Sequence, residues 1–269
     1  MAHRPLQCPR NRTRLVWWTS LLVCIGTLAG CIQMGDPSKP IPTSLAQAPG
    51  KPRRLVVVLP GRADAVVDLQ KSGIARAVQS AWPDADVVLT GLGLGYYLQG
   101  HAPQRLHEEV IVPARRRGYA QVWLVGASLG GMGAVLYDRE YPNDVDGIVL
   151  LAPYLGDRKT QDEVAAAGGL SAWQPPPPAK IITPDNFQQE LWRHLHGWSR
   201  EPAATRNVWL VYGRDDEFSE AMPLLAPILP HGHVLLRDGG HDWKVWSPAA
   251  REVLVRIGEQ AGQPGPLAD

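Results

Sequence analysis

Gly126-Ala127-Ser128-Leu129-Gly130 is the stretch of sequence that decides the fold. An apolar run, Val122 to Val125, precedes it, and a helix-like segment, Gly131 to Tyr137, follows it. Between a strand and a helix, two glycines let neighbouring backbone pass close to a sharp turn that holds the serine hydroxyl exposed. The context therefore predicts a nucleophile elbow with Ser128 at its tip.

A serine nucleophile needs a base, and the base needs a group that orients it. Two later strand-like runs end in such groups. Val208 to Tyr212 is followed by Gly213-Arg214-Asp215-Asp216, and the run from His233 to Arg237 is followed by Asp238-Gly239-Gly240-His241. The sequence thus predicts a Ser, Asp, His chain order, with either aspartate as the acid and His241 as the base.

These motifs, in this order, resemble those of the α/β-hydrolase fold of the esterase type. The resemblance extends from about Arg54 to Ile257. It implies Asp216 rather than Asp215 as the acid, because Asp216 lies three residues after Gly213.

The same resemblance implies an oxyanion hole for the tetrahedral intermediate. One donor is the backbone N–H of Leu129, and the second is the backbone N–H of Arg62, in the loop after the first strand. Members of the family often carry His-Gly in this loop, where the present chain has Pro60-Gly61.

The rest of the chain alternates between apolar strands and amphipathic segments, which is typical of a parallel sheet covered on both faces. We predict an α/β fold with a mostly parallel, doubly wound sheet of about six strands in the order 2-1-3-4-5-6. The predicted strands are 55–59, 86–90, 121–125, 147–151, 208–212 and 234–236, and the predicted helices are 66–81, 104–117, 129–141, 219–229 and 247–260.

The N-terminal residues resemble a bacterial lipoprotein signal. Residues 1–30 carry four arginines and no acid, residues 15–28 are mostly apolar, and Leu28-Ala29-Gly30-Cys31 resembles a lipobox. The resemblance implies acylation of Cys31 and location in the bacterial envelope. Ile32 follows the cysteine where an inner-membrane retention signal would have Asp, which implies the outer membrane, facing the periplasm.

Charge and cysteine content narrow the functional classes. The whole chain has 27 Lys+Arg against 26 Asp+Glu, so loss of the four signal-segment arginines leaves 23 − 26 = −3. A net negative domain argues against nucleic-acid binding. Cleavage before Cys31 also removes Cys8 and Cys24, so no disulfide is expected within the remaining chain.

We therefore predict a signal peptide over 1–30, a flexible tether over 31–53, a hydrolase domain over 54–262 and a disordered tail over 263–269. Within the domain, 157–207 loses its periodicity and is expected to form a cap-like insert over the catalytic edge, carrying Trp173, Trp192 and Trp198. Such a cap would restrict access and favour small esters. A packing excursion away from the site is the alternative.

The substrate pocket is expected to include Tyr96, Tyr154 and Trp173. Tyr96 lies in a glycine-rich loop, 90–97, whose G-x-G-x-G spacing and position after the second strand do not match a nucleotide-binding loop. The pairs His194/His196 and His231/His233 lack further ligands at useful spacing, so no metal and no cofactor is expected.

The sequence thus favours a serine hydrolase that cleaves a small-molecule carboxylic ester and is attached to the membrane by its N-terminal lipid. The same triad serves thioesterases, lipases and some peptidases, and those alternatives stay open. An inactive envelope-binding lipoprotein on the same scaffold is a further alternative.

Overall fold

The computed structural model describes residues 34–181, 183 and 185–262. Its strands are β1 Thr43–Ala46, β2 Arg54–Leu59, β3 Ala85–Thr90, β4 Gln121–Ala127, β5 Gly147–Leu151, β6 Val208–Gly213 and β7 Val234–Arg237. They form one seven-stranded sheet in the order β1-β3-β2-β4-β5-β6-β7. All neighbours are parallel except β1 and β3.

Apolar residues on both faces of the central strands explain this arrangement. In β2, Leu55 and Val57 belong to one buried cluster, whereas Val56 and Val58 belong to the other. Successive side chains of a strand point to opposite faces. A strand that is apolar at every position therefore needs helices on both sides, as the sequence predicted.

The α-helices lie between these strands, with short 3-10 and π segments beside some of them. They are α1 Val66–Lys71, α2 Ile74–Ala81, α3 Leu94–Leu98, α4 Ala102–Leu106, α5 Val112–Arg116, α6 Leu129–Glu140, α7 Arg158–Ala166, α8 Phe187–Arg200, α9 Met222–Leu225 and α10 Trp243–Gly262. None of the helices in the described part of the chain combines the length and the apolar character needed to cross a membrane.

The predicted fold class and strand order are confirmed, with one strand added. The expectation that folding begins at Arg54 after a flexible tether is wrong, because β1 lies within the predicted tether and pairs with β3 of the domain. Side-chain contacts fix the same stretch to the domain: the N–H of Ile41 donates to Glu109 at 2.6 Å, and the N–H of Ala48 donates to Asp86 at 2.7 Å.

Several predicted helices are broken where backbone geometry or proline requires it. The helix predicted over 66–81 is divided after α1, because Gly73 adopts a left-handed φ of 81° before α2 begins. The helix predicted over 104–117 contains a π-helical turn, His107–Ile111, shortly before Pro113. Proline has no N–H to donate, and the wider turn accommodates that loss.

The segment predicted as a helix over 219–229 consists of α9 between two 3-10 turns, Ser219–Ala221 and Ala226–Ile228. Pro223 and Pro227 remove backbone donors there. The predicted signal peptide and Cys31 lie outside the described residues, as does the predicted tail over 263–269.

Candidate active site

Ser128 occupies a strained turn between β4 and α6. Its backbone has φ 52° and ψ −114°, a region that L-residues rarely adopt. Strain of this kind costs about 1 to 3 kcal/mol and persists only where the surroundings impose it. Here the sheet imposes it: a Cβ on Gly126 would lie 2.3 Å from the carbonyl oxygen of Gly130, and a Cβ on Gly130 would lie 2.3 Å from that of Leu59. The turn therefore requires both glycines of the motif.

The structure brings His241 and Asp216 together. Nδ1 of His241 lies 2.9 Å from each carboxylate oxygen of Asp216, whose side chain is fully buried. The backbone N–H of Phe218 donates to the same carboxylate at 2.8 Å. An ionised carboxylate only accepts hydrogen bonds, so Nδ1 carries the hydrogen and Nε2 is left as a base. Asp215 is exposed on the surface, and the geometry favours Asp216 as the acid.

Two aromatic rings hold the imidazole from the sides. Phe218 and Trp246 lie 4.8 Å and 4.6 Å from the ring of His241, each nearly perpendicular to it. Neither residue was predicted, because nothing in the local sequence distinguishes them from core aromatics. Ser128 and His241 line one cavity. No hydrogen bond between their side chains is present in the described structure, which is common before substrate binds.

The two predicted oxyanion donors border the same cavity. Within the part of the chain that the structure describes, the backbone N–H groups of Leu129 and Arg62 make no hydrogen bond. The loop of Arg62 lies against the nucleophile, since a Cβ on Gly61 would be 3.7 Å from Cβ of Ser128. Both N–H groups thus belong to residues that border the cavity of Ser128, where oxyanion donors are needed.

Asp64 holds this loop in position and was not predicted. Its Oδ2 accepts the N–H of Gly61 at 3.0 Å and the indole N–H of Trp243 at 3.0 Å. The carboxylate thus links the loop of Arg62 to the chain directly after His241. In the sequence, the only indication of this role is that Asp64 lies two residues after Arg62.

Of the three residues predicted for the substrate pocket, the structure places Tyr154 in the wall of the cavity and Tyr96 and Trp173 outside it. Tyr154 lines the cavity, and burial raises the pKa of its phenol, so the hydroxyl stays protonated. The side chain of Tyr96 is turned away and fully buried, with its hydroxyl 3.3 Å from the carbonyl of Lys39. Trp173 is buried against His196.

The insert contributes to the cavity through residues that were not expected. Trp192 and Trp198 are buried in the core with Trp173, whereas Lys180, Ile181 and Phe187 are in the wall of the cavity. The cavity measures about 990 Å³. That volume is large for a site reserved for small esters.

Three of the four paired histidines, His194, His196 and His233, form hydrogen bonds within the protein. His194 Nε2 lies 2.8 Å from Asp138, and Nδ1 of His196 lies 2.7 Å from the carbonyl of Leu170. His233 stacks on Trp209 at 3.8 Å. Across residues 34–181, 183 and 185–262, no group of three or more His, Cys, Asp or Glu side chains is arranged to hold a metal ion.

No protein-family model matches the chain, and no curated protein matches its sequence. Solved structures do resemble it. Est1E from Butyrivibrio proteoclasticus is 15% identical, with a TM-score of 0.56 over 83% of this chain and 95% of that one. A monoacylglycerol lipase from Paleococcus ferrophilus is 16% identical, with a TM-score of 0.52 over 81% and 99%.

An alpha/beta hydrolase enzyme from the metagenome of lagoon sediments at Mar Chica, Morocco, is 17% identical. Its TM-score is 0.51, over 84% of this chain and 97% of that one. At such identities a structural likeness establishes the fold and leaves the chemistry open. The parallel sheet, the strand order and these likenesses together show that the chain has the α/β-hydrolase fold.

Proposed function

We propose that this protein hydrolyses carboxylic esters through an acyl-enzyme on Ser128. One observation carries the proposal: a strained serine and an imidazole held by a buried carboxylate line the same cavity. Neither the strain at Ser128 nor the burial of Asp216 contributes to stability in an evident way. Both are arrangements that a nucleophile and its base require.

In the acylation step, Oγ of Ser128 attacks the ester carbonyl carbon while Nε2 of His241 takes the hydroxyl proton. The carbonyl oxygen becomes an anion, which the N–H groups of Leu129 and Arg62 stabilise. Asp216 stabilises the imidazolium that forms. The imidazolium then returns the proton to the leaving alcohol oxygen as the C–O bond breaks.

Water completes the cycle. His241 takes a proton from water, whose oxygen attacks the acyl carbon. The second tetrahedral intermediate then collapses to release the acid, and the imidazolium returns the proton to Oγ of Ser128 as its bond to the acyl carbon breaks. One ester and one water are consumed, and one acid and one alcohol are formed.

The structural likenesses support a hydrolase only through the fold. The similar structures include a monoacylglycerol lipase and a ferulic acid esterase, but the assignment here rests on the residues of the cavity. The same machinery would serve a thioester, a lipid ester or an amide, and the leaving group decides among them. An inactive binding protein is the alternative of a different class.

A fluorophosphonate probe tests the proposal, because it reacts covalently with an activated serine. We expect labelling of the wild-type protein and of Ser80→Ala, which changes an exposed serine outside the cavity. We expect no labelling of Ser128→Ala, and a loss of several orders of magnitude in hydrolysis of p-nitrophenyl esters. Residual activity of Ser128→Ala within tenfold of wild type would remove Ser128 as the nucleophile.

We also propose that the protein is anchored in the bacterial envelope by a lipid on Cys31. The support is the sequence alone, in the basic N-terminal residues, the apolar run and the lipobox-like motif. Cys31→Ser should shift the protein from the detergent phase to unprocessed precursor or soluble material. Unchanged detergent partitioning would assign the attachment to another feature.

A further inference from the structure

The cavity extends away from Ser128 along one face of α6. Leu129, Met132, Leu136 and Glu140 all line it, and their spacing of three or four residues puts them on one side of the helix. The helix is 12 residues long. With a rise of about 1.5 Å per residue, the cavity runs roughly 18 Å from the nucleophile to Glu140.

The walls of this groove are mainly apolar. Leu94, Tyr97 and Leu98 of α3 line it on one side, and Ile181 and Phe187 of the insert contribute further apolar surface. Leu98 is 47% exposed and Ile181 is 74% exposed. Single exposed apolar side chains are ordinary, but two at one cavity that also has apolar walls indicate an apolar ligand.

The groove and the ring of Trp246, which packs on His241, lie on opposite faces of the sheet, whereas Phe218, the other ring at His241, packs against the same cluster as the groove. Met132 and Leu136 belong to one buried cluster, and Trp246, which packs on His241, belongs to the other. His241 must reach the leaving oxygen, so the alcohol lies on its side of the cavity. Because the alcohol lies on that side, the acyl group bonded to Ser128 occupies the groove that begins at Leu129.

We propose that this groove binds an extended, uncharged acyl chain of the ester substrate. The proposal rests on the proposed function and specifies its substrate class. Carbon–carbon bonds of about 1.5 Å advance an extended chain by somewhat more than 1 Å each, so roughly a dozen carbons fill the groove.

The test is a series of p-nitrophenyl esters from acetate to myristate, measured on the wild-type protein. Because burial of each methylene is favourable, kcat/KM should rise with chain length, by up to about fourfold per methylene, and stop rising near a dozen carbons. A decrease from acetate onward overturns the groove while leaving Ser128 as the nucleophile. Absence of both hydrolysis and fluorophosphonate labelling overturns the proposed function, and this proposal with it.

Variants along α6 locate the chain. Met132→Trp and Leu136→Trp fill the groove at about 6 Å and about 12 Å from Ser128 along the helix. The optimum should move to short chains in the first and to intermediate chains in the second. Val255→Trp, on an exposed face of α10 outside the cavity, should keep the wild-type optimum. The same optimum in all four proteins would place the acyl chain elsewhere.

Met132 and Leu136 are both buried, so both variants are at risk of misfolding. Leu98→Glu avoids that risk because the side chain is exposed. A carboxylate there should reduce the ratio of kcat/KM for the decanoate over the acetate by at least tenfold, with active enzyme counted by fluorophosphonate titration. A ratio within twofold of wild type would contradict the proposal.

Discussion

Replacing Asp64 with alanine should slow catalysis, although it removes no residue of the triad. The Asp64 carboxylate accepts hydrogen bonds from Gly61 and from the indole of Trp243, each at 3.0 Å. These bonds join the loop that carries the Arg62 N–H to the residues that follow His241. Without them, the second oxyanion donor loses its fixed distance from Ser128.

The magnitude follows from these two bonds. A hydrogen bond to a charged group contributes about 1.5 to 3 kcal/mol, and Asp64 is only half-buried, so the lower figure applies. Asp64→Ala should thus lower the free energy of unfolding by about 3 kcal/mol. Loss of one oxyanion donor lowers kcat by about 10²- to 10³-fold, and a displaced donor should cost less, about 10- to 100-fold.

Two matched variants separate catalysis from stability. Asp68→Ala removes a similar local bond, in which Asp68 accepts the N–H of Ala65 at 2.9 Å, outside the cavity. Trp243→Phe removes one of the two bonds to Asp64 and keeps an aromatic ring. Stability is measured by urea unfolding, and kcat and KM are determined separately on one ester.

The expected order of the loss in kcat is Asp64→Ala, then Trp243→Phe, then Asp68→Ala, with KM little changed, because the donor acts on the transition state. Equal kcat values for Asp64→Ala and Asp68→Ala would refute the positioning role. A change confined to KM would refute it as well.

Three other predictions concern the triad, the elbow and pH. Asp216→Asn should reduce kcat by up to about 10⁴-fold and Asp215→Asn only slightly, and a larger defect for Asp215 in steady-state kinetics would reverse the assignment. Gly130→Ala should lower the free energy of unfolding by about 1 to 3 kcal/mol or more, because its methyl group would meet the carbonyl of Leu59; an unchanged melting temperature would contradict this. Burial lowers the pKa of His233, so the unfolded chain binds more protons below about pH 6.5 and stability should fall on acidification; His233→Gln should show a flatter pH dependence in urea titrations.

The central sheet could be predicted because its signal is local. Six strands were recognised from runs of apolar residues, each of which must be buried on both faces, and their order was expected from the resemblance to the α/β-hydrolase fold. β1 escaped prediction because Thr43-Ser44-Leu45-Ala46 has no such run. Its pairing depends on the exposed edge of β3 and on contacts with distant side chains, which a sequence pattern does not contain.

Some residues of the active site could likewise be predicted from local sequence, and others could not. Ser128, Asp216 and His241 each follow a strand, and parallel strands bring their carboxyl ends to one edge of the sheet. The pocket-lining residues do not follow such a rule. Tyr96 and Tyr97 are neighbours on α3, yet only Tyr97 faces the cavity. Residues 34–40 pack over Tyr96 and thereby determine which of the two tyrosines faces the cavity. The sequence does not indicate where residues 34–40 pack.

If Cys31 carries the proposed lipid, the packing of residues 34–48 against the domain limits how far the protein can extend from a membrane. The N–H of Gly95 donates to the carbonyl of Met34 at 2.5 Å, and Arg105 donates to the carbonyl of Pro37 at 2.6 Å. With a lipid on Cys31, only three residues precede Met34, and an extended chain spans at most about 3.6 Å per residue. The segment between the lipid and the domain then has a maximum length of roughly 11 Å. A free segment up to residue 53 would reach several times farther. Under the proposed anchor, the protein would meet its substrates at the bilayer surface, and its rotation there would be confined.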